Sequence, residues 1–140
     1  MTLHQPPGGQ PLRSIDALVD AGLVSPARGE ALQKLAERYA VSVTPAVADL
    51  IDAADPADPI ARQFIPDAAE LTTLPQELAD PIGDEAHSPV EGVVHRYPDR
   101  ALLKLVHACP VYCRFCFRRE MVGPGGDALT GQKLDAALAY

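Results

Sequence analysis

The chain has 140 residues, 47% of them hydrophobic, which is enough for one domain of ordinary size with a packed core. Its net charge of −7 argues against general nucleic-acid or membrane-surface binding, and no apolar run approaches the roughly 20 residues that span a bilayer. Residues 1–10 are polar and rich in Pro and Gly rather than shaped like a secretory leader. Trp is absent and aromatic residues are sparse, so Leu, Val, Ile and Ala must fill the core. The 14 prolines, most of them in the first ninety positions, predict short helices and punctuated loops.

Residues 1–11 read as a disordered tail. Ser14 is a candidate N-cap, followed by Ile15, Leu18 and Val19 on one helical face and by Gly22 as the stop. Ser25-Pro26 starts a longer helix, with serine at the cap and proline at the first helical position, and Leu32, Leu35, Ala36 and Tyr39 keep its period. Thr44-Pro45 repeats that start signal ahead of Val47, Leu50 and Ile51, and Asp58-Pro59 opens a further piece through Ile60 and Phe64. Pro66 to Leu71 adds a turn. These helices hold no grouping of catalytic residue types, and their acidic residues read as a solvated face. Residues 12–74 are therefore expected to form a helical N-terminal subdomain.

From Thr72 the texture changes. Pro75, Asp80-Pro81, Gly83 and Ser88-Pro89 make a loop too long to be a plain connector, and such loops are often functional. Val93 to Tyr97 reads as a short extended piece ending at Pro98. Leu102, Leu103, Leu105 and Val106 form a nearly continuous apolar run, which predicts a strand buried on both faces as in a parallel sheet. A loop, then Gly123-Pro124-Gly125-Gly126, then a helix over 131–140 complete a strand–loop–helix unit. One parallel strand needs parallel neighbours, so the chain is expected to be a piece of a larger α/β protein, or a half that needs a partner.

The chemistry concentrates in that loop. Cys109, Cys113 and Cys116 are the only cysteines of the chain and are spaced C-x3-C-x2-C. An odd number of closely spaced thiols without a leader points to a reducing, cytoplasmic compartment and to metal ligation rather than to disulfides. Four thiolates normally hold a [4Fe–4S] cluster; three leave one iron open to bind and activate a substrate. The competing reading is zinc, because His107, His95 or His87 could complete a Cys3His set, although zinc knuckles pair cysteines as C-x2-C and only one such pair exists here. Incidental thiols are the third alternative. Between His95 and Arg119, six basic residues stand against Asp99 alone, a local cationic patch suited to a small anionic ligand.

The cysteine spacing matches the radical S-adenosylmethionine superfamily. Together with Asp80-Pro-Ile-Gly-Asp84, His87-Ser-Pro89, His95-Arg-Tyr-Pro-Asp-Arg100 and Tyr112-Cys-Arg-Phe-Cys-Phe-Arg-Arg119, it resembles the lysine 2,3-aminomutase family, N-terminal part only. The resemblance implies an isomerase with three cofactors: a [4Fe–4S] cluster, S-adenosyl-L-methionine and pyridoxal 5′-phosphate. It implies a radical that takes a hydrogen from the β-carbon of lysine or a related amino acid, while the amino group migrates on pyridoxal phosphate. Cys109, Cys113 and Cys116 would be the metal ligands. Arg96, Tyr97 and Arg100 fall on pyridoxal phosphate positions, and guanidinium forks suit a phosphate; the plain alternative is that Arg96 and Arg100 pair with acids such as Asp99. Arg118 falls on the arginine that grips the substrate carboxylate. Arg119 reads as structural or solvated, and His95 and His107 as packing histidines.

Two departures stand out. Phe115 occupies a position where some members carry histidine beside S-adenosylmethionine, which leaves an aromatic contact there. The family's lysine for pyridoxal phosphate, and the acids that read the substrate side chain, lie past residue 140. No catalytic residue is therefore expected within the chain itself, and the 140 residues alone should not turn over. The implied fold is a helical N-terminal subdomain (12–74), a loop-rich cofactor-facing segment (75–100) and the first βα unit of a partial TIM-like (β/α) barrel (101–140). The implied partners are an amino acid substrate and an electron donor such as a flavodoxin or ferredoxin; a homo-oligomer is compatible, and neither nucleic acid nor membrane is expected. The reading from a different class is a non-catalytic iron–sulfur or zinc-binding module.

Overall fold

A computed structural model describes residues 9–140. The tail expected at 1–11 therefore lies largely outside the described residues. Helix α1 (Ile15–Asp20) starts where Ser14 accepts a hydrogen bond from the Ala17 N–H at 3.1 Å. It stops at Gly22, whose φ of 72° few other residues tolerate. Helix α2 (Pro26–Arg38) has Ser25 as its cap and Pro26 in its first turn. The Thr44-Pro45 signal yields a single turn, α3 (Pro45–Ala48). Helix α4 (Ala61–Phe64) is equally short, and the Asp58 carboxylate accepts from the Ala61 N–H at 2.5 Å to hold its start. A 3₁₀ turn follows at Ala68–Leu71, closed by a reciprocal capping box between Asp67 and Glu70.

These short helices share one core. Ile15, Leu18, Val24, Leu32, Leu35, Tyr39, Val41, Val43 and Ile65 pack together, and Tyr112 of the cysteine loop joins them. A bridge between Leu12 and Val43 ties the start of the described chain to the segment after α2. The periodic positions of α1 and α2 are thus buried as expected, but Leu50, assigned to the α3 stripe, is 66% exposed because α3 ends before reaching it.

The second half differs from expectation. The loop after Thr72 contains one 3₁₀ turn, Glu85–His87, and leads into β1 (Val93–Tyr97). Strand β2 (Arg100–Leu103) pairs antiparallel with β1, with Val93 opposite Leu103, Val94 opposite Leu102 and Tyr97 opposite Arg100. The buried parallel strand expected over Leu102 to Val106 is not observed among the described residues. Leu102 and Leu103 end one arm of a two-stranded hairpin, and Leu102, Leu105 and Val106 are each about half exposed. A continuous apolar run records what a segment is able to bury, not which neighbour covers it. Past β2 the chain is held instead by the returning glycine-rich loop, through bridges Val106–Ala128 and Ala108–Gly123. Gly126 is required there: a Cβ would lie 2.3 Å from the His107 carbonyl. Helix α5 (Gly131–Ala139) closes the described chain. The architecture is mixed α and β, with a helical half and a hairpin half joined at the cysteine loop. No helix among the described residues is long and apolar enough to cross a membrane.

Candidate functional site

Alternate residues of the cysteine loop are pinned to the helical half. The Ser42 hydroxyl donates to the Pro110 carbonyl at 2.8 Å. The Tyr112 N–H donates to the Ser42 carbonyl at 2.9 Å, and the Arg114 N–H to the Gln63 carbonyl at 2.8 Å. The cysteines occupy positions between and beside these anchors. All three are free thiols and half-buried. Cys109 is fixed by its N–H to the Gly123 carbonyl at 3.1 Å, and Cys113 and Cys116 are joined by a turn with a 3.2 Å bond. The Arg118 N–H donates to Cys116 Sγ at 3.4 Å, the kind of contact that tunes a cluster bound through that sulfur.

Arg114, between the second and third cysteines, is buried. Its Nε and Nη2 form a fork onto the Glu70 carboxylate at 3.0 and 2.6 Å, and its Nη1 donates to the Ala40 carbonyl at 2.9 Å. The guanidinium also lies over the Tyr112 ring at 4.9 Å and the Tyr39 ring at 5.9 Å. Such an ion pair holds geometry because removing either partner strands a charge in the interior. Sequence reasoning missed it: Glu70 was grouped with a solvated acidic face, yet its side chain is only 16% exposed. The one available signal was an arginine placed inside a cysteine motif. The Tyr112 hydroxyl donates to the Arg119 carbonyl at 2.7 Å, and burial pushes its pKa up to about 12 against the opposing pull of Arg114 and Arg119. Burial raises the Tyr39 pKa too, opposed by Arg119. Arg119 lies over the Tyr39 ring at 4.6 Å.

The residues expected to meet the other cofactors are the more exposed ones. Arg118 donates through Nε to Asp84 Oδ2 at 2.7 Å; the acid is buried, while the arginine keeps about a third of its side chain exposed. Arg96 donates through Nη2 to the Ile82 carbonyl. Arg118 and Arg96 therefore both contact the Asp80–Asp84 loop. Arg100 does not join them: it forks onto its neighbour Asp99 at 2.8 and 3.0 Å and stacks over Tyr97 at 5.6 Å. The pairing with Asp99 considered for both arginines is seen, among the described residues, for Arg100. Tyr97 and Phe115 are largely exposed. The Asp80 carboxylate accepts from the Asp84 and Glu85 N–H groups at 2.9 and 2.8 Å. These backbone donors, with Arg96 nearby, hold its pKa below the ordinary aspartate value.

Thiols are the donor type that a [4Fe–4S] cluster takes. Three unpaired thiols stand on a loop anchored at its intervening residues. His107, the nearest histidine for a Cys3His zinc set, has a buried Nε2 with no partner. Yet among the described residues no three His, Cys, Asp or Glu side chains group closely enough to hold a metal ion. A cluster takes one thiolate per corner, so its ligands need not converge on one point as those of zinc must.

No family model matches the chain. Curated proteins do. The chain is 39% identical over 111 residues to the L-lysine 2,3-aminomutase of Clostridium subterminale, covering 79% of this chain and 27% of the relative. It is 35% identical over 129 residues to the L-lysine 2,3-aminomutase of Fusobacterium nucleatum, covering 92% of this chain and 30% of the relative. It is 30% identical over 112 residues to the glutamate 2,3-aminomutase of Clostridioides difficile, covering 80% and 26%. The chain thus spans between a quarter and a third of the length of these curated relatives.

Proposed function

This chain belongs to the lysine 2,3-aminomutase family, and from that premise we propose that it is the cluster-binding portion of a 2,3-aminomutase acting on lysine or a related amino acid. The observation that carries the proposal is the cysteine loop: three free thiols presented by a segment whose intervening residues are anchored to a separate packed core. Cys109, Cys113 and Cys116 would hold a [4Fe–4S] cluster and leave one iron for S-adenosylmethionine. When bound, cluster and S-adenosylmethionine supply a radical that abstracts hydrogen, and pyridoxal phosphate supplies the carrier for the migrating amino group.

The chain's own residues bind and orient. Ser42, Tyr112 and Arg114 fix the loop before any ligand arrives, so little ordering cost remains on loading. Phe115 offers an exposed ring beside the cluster ligands for S-adenosylmethionine. Arg96, with Tyr97 and Arg100, would meet the phosphate of pyridoxal phosphate. For Arg100 this requires release of Asp99, an exposed pair worth about 0–1 kcal/mol. Arg118 would grip the α-carboxylate with its outer edge. In the same reading residues 101–140 begin a TIM-like barrel, whose further strands would cover Leu102, Leu105 and Val106. An electron donor would reduce the cluster.

Anaerobic reconstitution tests the proposal. The expected result is about four irons per chain and an electron paramagnetic resonance spectrum that changes on adding S-adenosylmethionine. Stoichiometric zinc without iron uptake would instead make the chain a zinc module. Pyridoxal phosphate affinity tests the arginines: Arg96→Ala should weaken it about tenfold or more.

A further inference from the structure

The loop from Asp80 to Ser88 contacts both Arg96 and Arg118, which come from different elements. Arg96 leaves β1 and donates to the Ile82 carbonyl; Arg118 leaves the cysteine loop and donates to the Asp84 carboxylate at 2.7 Å. A single residue, Gly83, thus separates the two contacts. The loop is braced more heavily than an exposed connector needs. The Asp80 carboxylate closes it by accepting from the Asp84 and Glu85 N–H groups. On the far side the Ser88 hydroxyl and the His87 N–H both donate to the Asp84 carbonyl, at 2.7 and 3.1 Å. Gly83 has φ +68°, and a Cβ there would stand 3.8 Å from Arg96 Nη2. Side chains other than glycine are strained in that backbone conformation.

The manner of holding is as informative as the brace. Asp84 engages Arg118 through Nε, and among the described residues neither terminal nitrogen of Arg118 has a protein partner. Those two nitrogens form the outer edge of the guanidinium, the edge that accepts a carboxylate end-on with two parallel bonds. Asp84 is buried and would be costly to leave unpaired, so it keeps the arm from swinging while leaving the binding edge open.

We propose that the Asp80–Ser88 loop is a spacer that sets Arg96 and Arg118 at a fixed separation, so that a ligand pair with two anionic ends, the phosphate of pyridoxal phosphate and the α-carboxylate of the amino acid, meets both at once. Asp84 is then the positioning residue for Arg118, and Asp80 the positioning residue for the loop and hence for both arginines. The inference rests on the reading of Arg96 and Arg118 given above. A purely structural loop would weaken neither ligand selectively; a spacer predicts a pattern.

The pattern is read on the full chain by separate calorimetric titrations with pyridoxal phosphate and with L-lysine, and the Arg118 Nε–H resonance is followed besides in the variants that keep Arg118. Arg96→Ala should weaken pyridoxal phosphate alone, and Arg118→Ala lysine alone; these two variants test the underlying reading. Asp84→Ala should weaken lysine about tenfold, shift the Arg118 Nε–H resonance and leave pyridoxal phosphate unchanged, while Asp84→Glu should restore part of the lysine affinity. Asp80→Asn should weaken both ligands together. If both arginine variants act as stated but Asp80→Asn leaves either affinity intact, the spacer is wrong and the site reading stands. If neither arginine variant changes binding, the reading fails and the spacer fails with it. Should Asp80→Asn not fold, Gly83→Ala strains the same loop while removing no charge and must give the same paired loss.

Discussion

The two sides of the cysteine loop are built on opposite terms. Toward the helical half, Tyr112 enters the core and Arg114 is buried in an ion pair with stacked rings. Toward the hairpin half, Tyr97, Phe115 and Phe117 are more than half exposed, and Arg100 pairs only with its neighbour Asp99. One strip of chain therefore carries residues that set its shape and residues left free to meet ligands, interleaved at intervals of one or two positions. The difference teaches that stability and binding are separable here. Substitutions on the first side should unfold the loop, and those on the second should leave the fold alone.

The largest effect is expected at the buried pair. Arg114→Ala strands Glu70 and should lower stability by about 3–5 kcal/mol, read as a drop in the urea midpoint at unchanged slope. Removing the charge on both sides, Arg114→Met with Glu70→Gln, keeps the capping bond from the Asp67 N–H and should recover much of the loss. If the single variant is nearly neutral, the helical half is not what holds the loop.

Alkaline titration should give the next largest effect. The Tyr112 hydroxyl has its folded pKa raised from 10.0 to about 12, so its contribution is complete below pH 10. It is lost as pH rises through the window from 10 to 12, amounting to about 2–3 kcal/mol by linkage. Tyr112→Phe should abolish that pH dependence, at a cost of about 1 kcal/mol for the bond to the Arg119 carbonyl at neutral pH. Asp80 runs in the opposite sense. Its folded pKa is lowered, so its contribution is present above the ordinary aspartate value and lost as pH falls through the folded one. Acid opening of the loop should therefore be absent in Asp80→Asn.

The contrast between the two sides also marks how far the sequence could be read. Ser14, Ser25-Pro26 and the Val93–Tyr97 extension were legible because caps, proline placement and extended runs act over a few residues. The three thiols and the arginines around them were legible as chemistry. What stayed hidden was long-range. Glu70 and Arg114 lie 44 positions apart, and no periodicity joins them. Leu102 to Val106 looked like a two-sided strand because apolar content cannot say whether a sheet stands beside it; here the turn at Pro98-Asp99 folds β2 back onto β1 instead. Asp80 and Asp84 could be quoted within a motif, but their work depends on backbone N–H groups and on an arginine 34 residues away from Asp84.

The smallest stability effect is expected at Arg100, and it sharpens the comparison most. Its pair with Asp99 is solvent-exposed, with 73% and 63% of the two side chains accessible, so Arg100→Ala should change stability by no more than about 1 kcal/mol. Thermal melts of this variant and of wild type should nearly overlay. If Arg100 also meets phosphate, pyridoxal phosphate affinity must fall in the same variant, while Asp99→Ala, which frees the guanidinium, should raise it. A variant that binds as well as wild type would remove Arg100 from the phosphate set and leave Arg96 to carry it. A variant that loses several kcal/mol of stability would mean that the hairpin half, like the helical half, is held by its charges.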